Sequence, residues 1–185
     1  MTHISRRTAL IGATASLSLA ACGNGIGSNG PATIDARTDS TMNFMYNNFP
    51  GTRDLASKST GILVMPLVTE VGLGLGGSFG RGALQIDGST VDYYSTTSGS
   101  AGLQIGAQQY SHVLFFLTQN ALQDFRSGQG WAASADITYA INDIGEKLRA
   151  ETTTSLSPVI AIVFAQAGLR VGATLEGMKY TRIIP

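Results

Sequence analysis

Eleven residues between positions 72 and 82 contain six glycines, at 72, 74, 76, 77, 80 and 82, within a stretch whose neighbours read as strand. Missing side chains permit kinks and close backbone approach, so this stretch predicts a strongly bent strand pair at the corner of a barrel or sandwich. Asp87-Gly88 follows, between Ala83-Leu84-Gln85-Ile86 and Val91-Asp92-Tyr93-Tyr94, and is a hairpin signal. A second hairpin is expected at Gln166-Ala167-Gly168.

The remaining pattern agrees with a β-rich body. Ile62-Leu63-Val64-Met65, Val113-Leu114-Phe115-Phe116-Leu117 and Val159-Ile160-Ala161-Ile162-Val163-Phe164 are short continuous apolar runs, expected of strands buried on both faces. Alternation at Leu103, Ile105, Ala107, at Ile137, Tyr139, Ile141 and at Leu169, Val171, Ala173, Leu175 predicts strands with one wet face. Helical spacing of Met42, Met45, Tyr46 and Phe49 predicts a short helix over 35–49, stopped at Pro50. Another is expected over 53–57 with Thr52 as cap. A third covers 120–126, capped by Thr118 or Asn120, with Leu122 and Phe125 inward and Gly128 ending it. The predicted fold is therefore mainly β with short helices, an antiparallel barrel or sandwich. An outer-membrane barrel fits poorly, because its strands would alternate over about ten residues each.

The N-terminus carries export signals. Arg6 and Arg7 precede an apolar run from Ala9 to Leu19 and a small-residue cut site. A run of eleven residues falls short of the roughly twenty that a membrane-spanning helix needs. Leu19-Ala20-Ala21-Cys22 resembles the lipobox of bacterial lipoproteins, in which the cysteine thiol takes a diacylglycerol and the new amine an acyl chain. Cys22 is the only cysteine in the chain, so no intrachain disulfide competes for it. Two or three acyl chains anchor durably, at roughly 0.8 kcal/mol per buried methylene. The expected organisation is a signal peptide over 1–21, a Gly/Ser/Asn-rich tether over 22–34 and one domain over 35–185. Ser5-Arg6-Arg7-Thr8-Ala9-Leu10 also resembles a twin-arginine export motif, against two ordinary arginines of a general signal. Gly23, rather than Asp, after the cysteine resembles lipoproteins sorted to the periplasmic face of an outer membrane.

Beyond the signal, 10 basic residues face 12 acidic ones, and this balance marks no nucleic-acid partner. The glycine total of 23 and a charged fraction of 13% instead suit a bent, sparsely charged β body.

Longer blocks resemble one family. Ala56-Ser57-Lys58-Ser59-Thr60-Gly61-Ile62-Leu63-Val64-Met65-Pro66, then Gly72 to Leu84, is similar to the opening of the SYLF domain. Tyr93-Tyr94, Gly102-Leu103-Gln104-Ile105-Gly106-Ala107-Gln108, Asn120-Ala121-Leu122, Phe125, Gly130-Trp131, Pro158-Val159-Ile160-Ala161 and Gly168-Leu169 to Leu175-Glu176-Gly177 resemble its later blocks, in order. The resemblance spans about 53–182 and implies a non-catalytic lipid-binding module; eukaryotic members bind phosphoinositides, some of them actin, and bacterial members are mostly exported lipoproteins. It implies membrane phospholipid as partner and no cofactor. Eukaryotic membrane binding resembles the work of a basic amphipathic N-terminal helix, whereas residues 35–49 carry Arg37 as their one base. The covalent lipid on Cys22 would take that part. Candidate phospholipid contacts are Arg53, Lys58 and Arg81, as phosphate partners, and Phe79, flanked closely by glycines. An envelope protein docking another protein is the alternative.

Two short motifs point elsewhere. Gly72 to Gly77 fits the dinucleotide pattern G-x-G-x-x-G, with Asp92 beyond, but strand rather than helix is expected after it. Gly76-Gly77-Ser78-Phe79-Gly80 fits the nucleophile elbow of a serine hydrolase, with His112 and Asp87 or Asp92 as conceivable partners, but lacks the strand-to-helix setting. One histidine after the signal and one cysteine supply no His/Cys metal site.

Overall fold

The computed structural model describes residues 30–128, 130–133, 137–139, 157–165, 168–169, 175 and 177–185. The signal peptide, Cys22, the tether up to residue 29, and the strand positions Ile141, Val171 and Ala173 lie outside them.

The body is mostly antiparallel β, curled into a half-barrel, with short helices. Helix α1 spans Gly30–Asn48 and α2 spans Thr52–Ser57. Strands β1 (Gly61–Ile86, 26 residues) and β2 (Ser89–Phe116, 28 residues) form one very long hairpin. Helix α3 (Gln119–Ser127) and strands β3 (Trp131–Ala132), β4 (Ile137–Tyr139), β5 (Val159–Ala165), β6 (Gly168–Leu169) and β7 (Lys179–Ile183) complete the described elements. The expected hairpins stand. Asp87 and Gly88 take φ of 50° and 74°, as a two-residue turn with right-handed strand twist requires, and Ile86 pairs with Ser89. Ala165 likewise pairs with Gly168, while Gln166 and Ala167 of that turn lie outside the described residues.

The central strand is β2. Along one edge it pairs with β1 throughout; along the other, residues 93–97 pair with β7 and residues 111–116 with β5. The β4–β5 pairing is parallel, a minor exception. The glycines act where expected, and the reason is visible. A Cβ on Gly82 would lie 2.0 Å from the Val64 carbonyl oxygen, and one on Gly80 would lie 2.8 Å from that of Leu67. The second half of β1 therefore lies directly on its own first half, and this contact curls the sheet.

Both faces of the first half are covered, which explains the unbroken apolar runs. Leu63, Met65, Leu114, Phe116, Ala161 and Val163 point into the half-barrel, onto Leu122 and Phe125 of α3 and onto Tyr180. Their alternates Val64, Val113, Phe115, Ile160 and Ile162 point outward, where Met42, Met45, Phe49 and Leu55 of α1 and α2 bury them. At about 25 cal/mol per Å² of apolar area, this two-sided burial is the main stabilising term.

Three local expectations need correction. Helix α1 begins at Gly30 rather than 35, so residues 30–34, read as the end of the tether, are helical, and Ile34 is buried. Pro31 in the first turn suits a helix start, because its missing N–H would be unpaired there anyway. Thr52 does not cap α2: its hydroxyl donates to the Phe49 carbonyl, and Gly51 occupies the cap position. Strand segments read as separate elements on either side of the glycines merge into β1 and β2. Helix α3 matches its expected frame, with the Thr118 hydroxyl accepting from the Ala121 amide at 3.2 Å.

Candidate functional site

Helix α1 crosses the outer face of the sheet at the one irregularity in the first half of the hairpin. Met65 pairs with His112 and Val68 with Tyr110, so Pro66 and Leu67 together face Ser111 in a two-against-one bulge. A proline suits that position because it has no N–H to leave unpaired. Ser111 fixes the bulge by donating its hydroxyl to the Pro66 carbonyl at 2.7 Å. In the next strand Ser111 pairs with Phe164, whose ring stacks on Phe44 of α1 at 5.7 Å and 16°.

Above this row lies an open cavity of about 290 Å³. Its polar lining is Arg37, Ser40, Thr41 and Ser111; its apolar lining is Phe44, Pro66, Leu67 and Phe164. Positions 37, 40, 41 and 44 share one helix face by their spacing, so α1 contributes a cation, two hydroxyls and an aromatic ring to the same opening. Arg37 forms no ion pair with any described residue. The cavity was not legible in sequence, because it depends on a bulge and a helix crossing that local pattern does not encode. Arg37 itself was visible as the one base of its helix.

The residues singled out from sequence fall in two other places. Arg53 and Lys58 sit on or beside α2. Arg53 lies over the Tyr46 ring at 4.7 Å, and Lys58 pairs with Asp54 at 3.0 Å. Burial pushes the Tyr46 phenol upward, with the Arg53 guanidinium opposing it. Phe79 and Arg81 lie on β1, two residues apart and hence on one face, with the guanidinium 5.7 Å from the ring centroid. Phe79 is 50% exposed. Gly80 between them abuts the Leu67 carbonyl, so the strand carrying Phe79 and Arg81 adjoins the cavity wall. Leu67 and Val71 also expose apolar surface.

The hydrolase residues are dispersed. The Ser78 hydroxyl is hydrogen-bonded to that of Ser98 at 2.7 Å, and β1 continues unbroken as strand on both sides of it, with no strand-to-helix elbow. His112 is fully buried, its Nε2 2.8 Å from the Tyr180 hydroxyl, while Nδ1 has no partner. The Tyr180 hydroxyl also lies 3.8 Å from Met178 Sδ. Burial pushes the His112 pKa down to about 3. Asp92, 4% exposed, joins Arg126 of α3 at 3.1 Å and also Arg182 of β7. It serves as a structural tie between three elements. Strand follows Gly72 to Gly77, so no helix terminus faces a pyrophosphate there. Among the described residues no group of His, Cys, Asp and Glu could hold a metal ion, and no helix is long and apolar enough to cross a membrane.

A second missed contact holds α1 in place. Asp35 accepts hydrogen bonds from Tyr93 at 2.8 Å and Thr90 at 3.0 Å. Burial, then the Asp35 bond and charge, push the Tyr93 phenol up to about 12, so it remains a donor at neutral pH. Trp131 packs on Phe125 and Tyr180 as part of the core.

Among known families, the model described as Ysc84, Las17-binding protein actin regulator, matches residues 97–182, just under half of the chain. No curated protein matches the chain. The family match supports the SYLF resemblance from the middle of β2 onward; the glycine-rich blocks of β1 and all of α1 precede it.

Proposed function

We propose that this is an exported lipoprotein, held through lipid on Cys22 at the periplasmic face of an outer membrane, whose SYLF-like domain binds phospholipid without catalysis. The observation that carries the lipid-binding part is the cavity, where a guanidinium with no ionic partner among the described residues, and hydroxyls beside it, meet a wall of Phe44, Pro66, Leu67 and Phe164. Such a surface matches a molecule with an anionic head and an apolar body, because a guanidinium offers paired donors to phosphate oxygens while aromatic and aliphatic walls accept chain. Exposed Phe79, with Arg81 beside it, repeats that pairing on the second half of β1. The SYLF family match is consistent with this role.

Two experiments test the two parts. Radiolabelled palmitate fed to cells is expected to enter the wild-type chain and not Cys22→Ser; equal labelling of both would remove the anchor. The unlipidated mature chain carrying Cys22→Ser is expected to float with vesicles of anionic phospholipid and to stay behind with neutral ones. A chain that stays in solution with both would leave Cys22 as the whole attachment and favour docking of another envelope protein.

A further inference from the structure

Given phospholipid binding at the same cavity, we infer that the site seats a single acyl chain beneath one anionic head, so that a one-chain anion, a fatty acid or a lysophospholipid, is by itself enough to fill it. The opening is small. At about 290 Å³ it lies at the lower end of ligand-site volumes, roughly 300–1,000 Å³, and suits one chain. The walls cannot enlarge cheaply. Phe164 belongs to a strand buried on both faces, Phe44 is stacked on it, and the Pro66–Leu67 bulge is tied to Ser111. One cation at the opening then sets one head. Arg37 has no described ionic partner, and the hydroxyls of Ser40 and Thr41 stand one turn along the same helix face.

Recognition follows from this layout. The head meets Arg37 at the exposed end, and the chain runs inward over Phe44, Leu67 and Phe164. A carboxylate and a monoester phosphate satisfy the guanidinium alike, so the shared chemistry is a one-chain anion. A one-chain cation would place like charge against Arg37, and an uncharged one-chain detergent would leave the guanidinium without its anion.

Isothermal titration calorimetry of the mature chain carrying Cys22→Ser, below each micelle threshold, tests this. The probes are laurate, lauroyl lysophosphatidate, dodecyltrimethylammonium and an uncharged dodecyl maltoside. One-to-one binding is expected for at least one of the two anions, with the cation and the maltoside weaker by about tenfold or more, as loss of a charge-assisted hydrogen bond implies. Binding of laurate alone identifies a free carboxylate as the source, and of the lysophosphatidate alone a phospholipid product. Arg37→Ala should weaken the anion about tenfold, Arg37→Lys should recover part of it, and Ser40→Trp, at an exposed helical position, should block the chain without disturbing the core. Flotation with anionic two-chain vesicles together with no binding of either one-chain anion would overturn the inference and leave the phospholipid reading standing. Failure of both would end both. One-chain binding untouched by Arg37→Ala and Ser40→Trp, or shared equally by the cation, would also overturn it.

Discussion

His112 and Asp92 show opposite ways of burying a polar side chain. His112 is neutral in the fold, with its pKa lowered from 6.5 to about 3 by burial, whereas the unfolded chain takes up a proton near 6.5. Between those values the unfolded state binds more protons, so stability is complete above pH 6.5 and falls as pH drops toward 3. The slope is at most about 1.4 kcal/mol per pH unit for one proton. Denaturant melts at pH 7, 6 and 5 should show that decline in the wild type and its loss in His112→Gln; parallel slopes would remove His112 as the cause. Asp92 is buried between Arg126 and Arg182, and the asymmetry of exposure decides which deletion hurts. Removing both arginines strands a buried carboxylate and should cost about 3 kcal/mol or more, while Asp92→Asn leaves two well-exposed guanidiniums and should cost about 1. Equal losses in denaturant titration would contradict the reading of Asp92 as a tie. The partners of neither residue were legible in the sequence, because Tyr180 and Arg182 lie far along the chain from His112 and Asp92.

Helices and short buried strands were legible because their signals are local. The continuous runs at 62–65, 113–117 and 159–164 mark strands covered on both faces, and Thr118 to Gly128 frames α3 by cap and stop. What local pattern could not supply is length and overlay. Six glycines predicted a bend, but only the packing of Gly80 and Gly82 on residues 64–68 shows that β1 folds over itself as one strand of 26 residues. Gly82→Ala should therefore destabilise by about 3 kcal/mol or more, since the nearest obstacle is backbone and cannot swing aside. Gly99, with open space around its Cβ direction, should accept alanine unchanged or gain up to about 1 kcal/mol. Chemical denaturation of the two variants separates a packing glycine from a merely permissive one; similar midpoints would refute the overlay.

Across the whole molecule, α1 links the two ends of the long hairpin. Asp35 near its start holds Tyr93 and Thr90 of the far half, and Met42, Met45 and Phe49 near its end cover the first half. The cavity lies between these attachments, where the helix passes over the Pro66–Leu67 bulge. A helix docked this firmly cannot act as a free amphipathic membrane helix, and its single base is placed at a preformed opening instead. Amide hydrogen exchange of the unlipidated mature chain, with and without vesicles of anionic phospholipid, tests that placement most directly. Slower exchange over residues 37–44 and at Leu67, reversed by Arg37→Ala, is the predicted result. Unchanged exchange there, or protection confined to residues 53–58 or 79–81, would contradict the cavity as the lipid site.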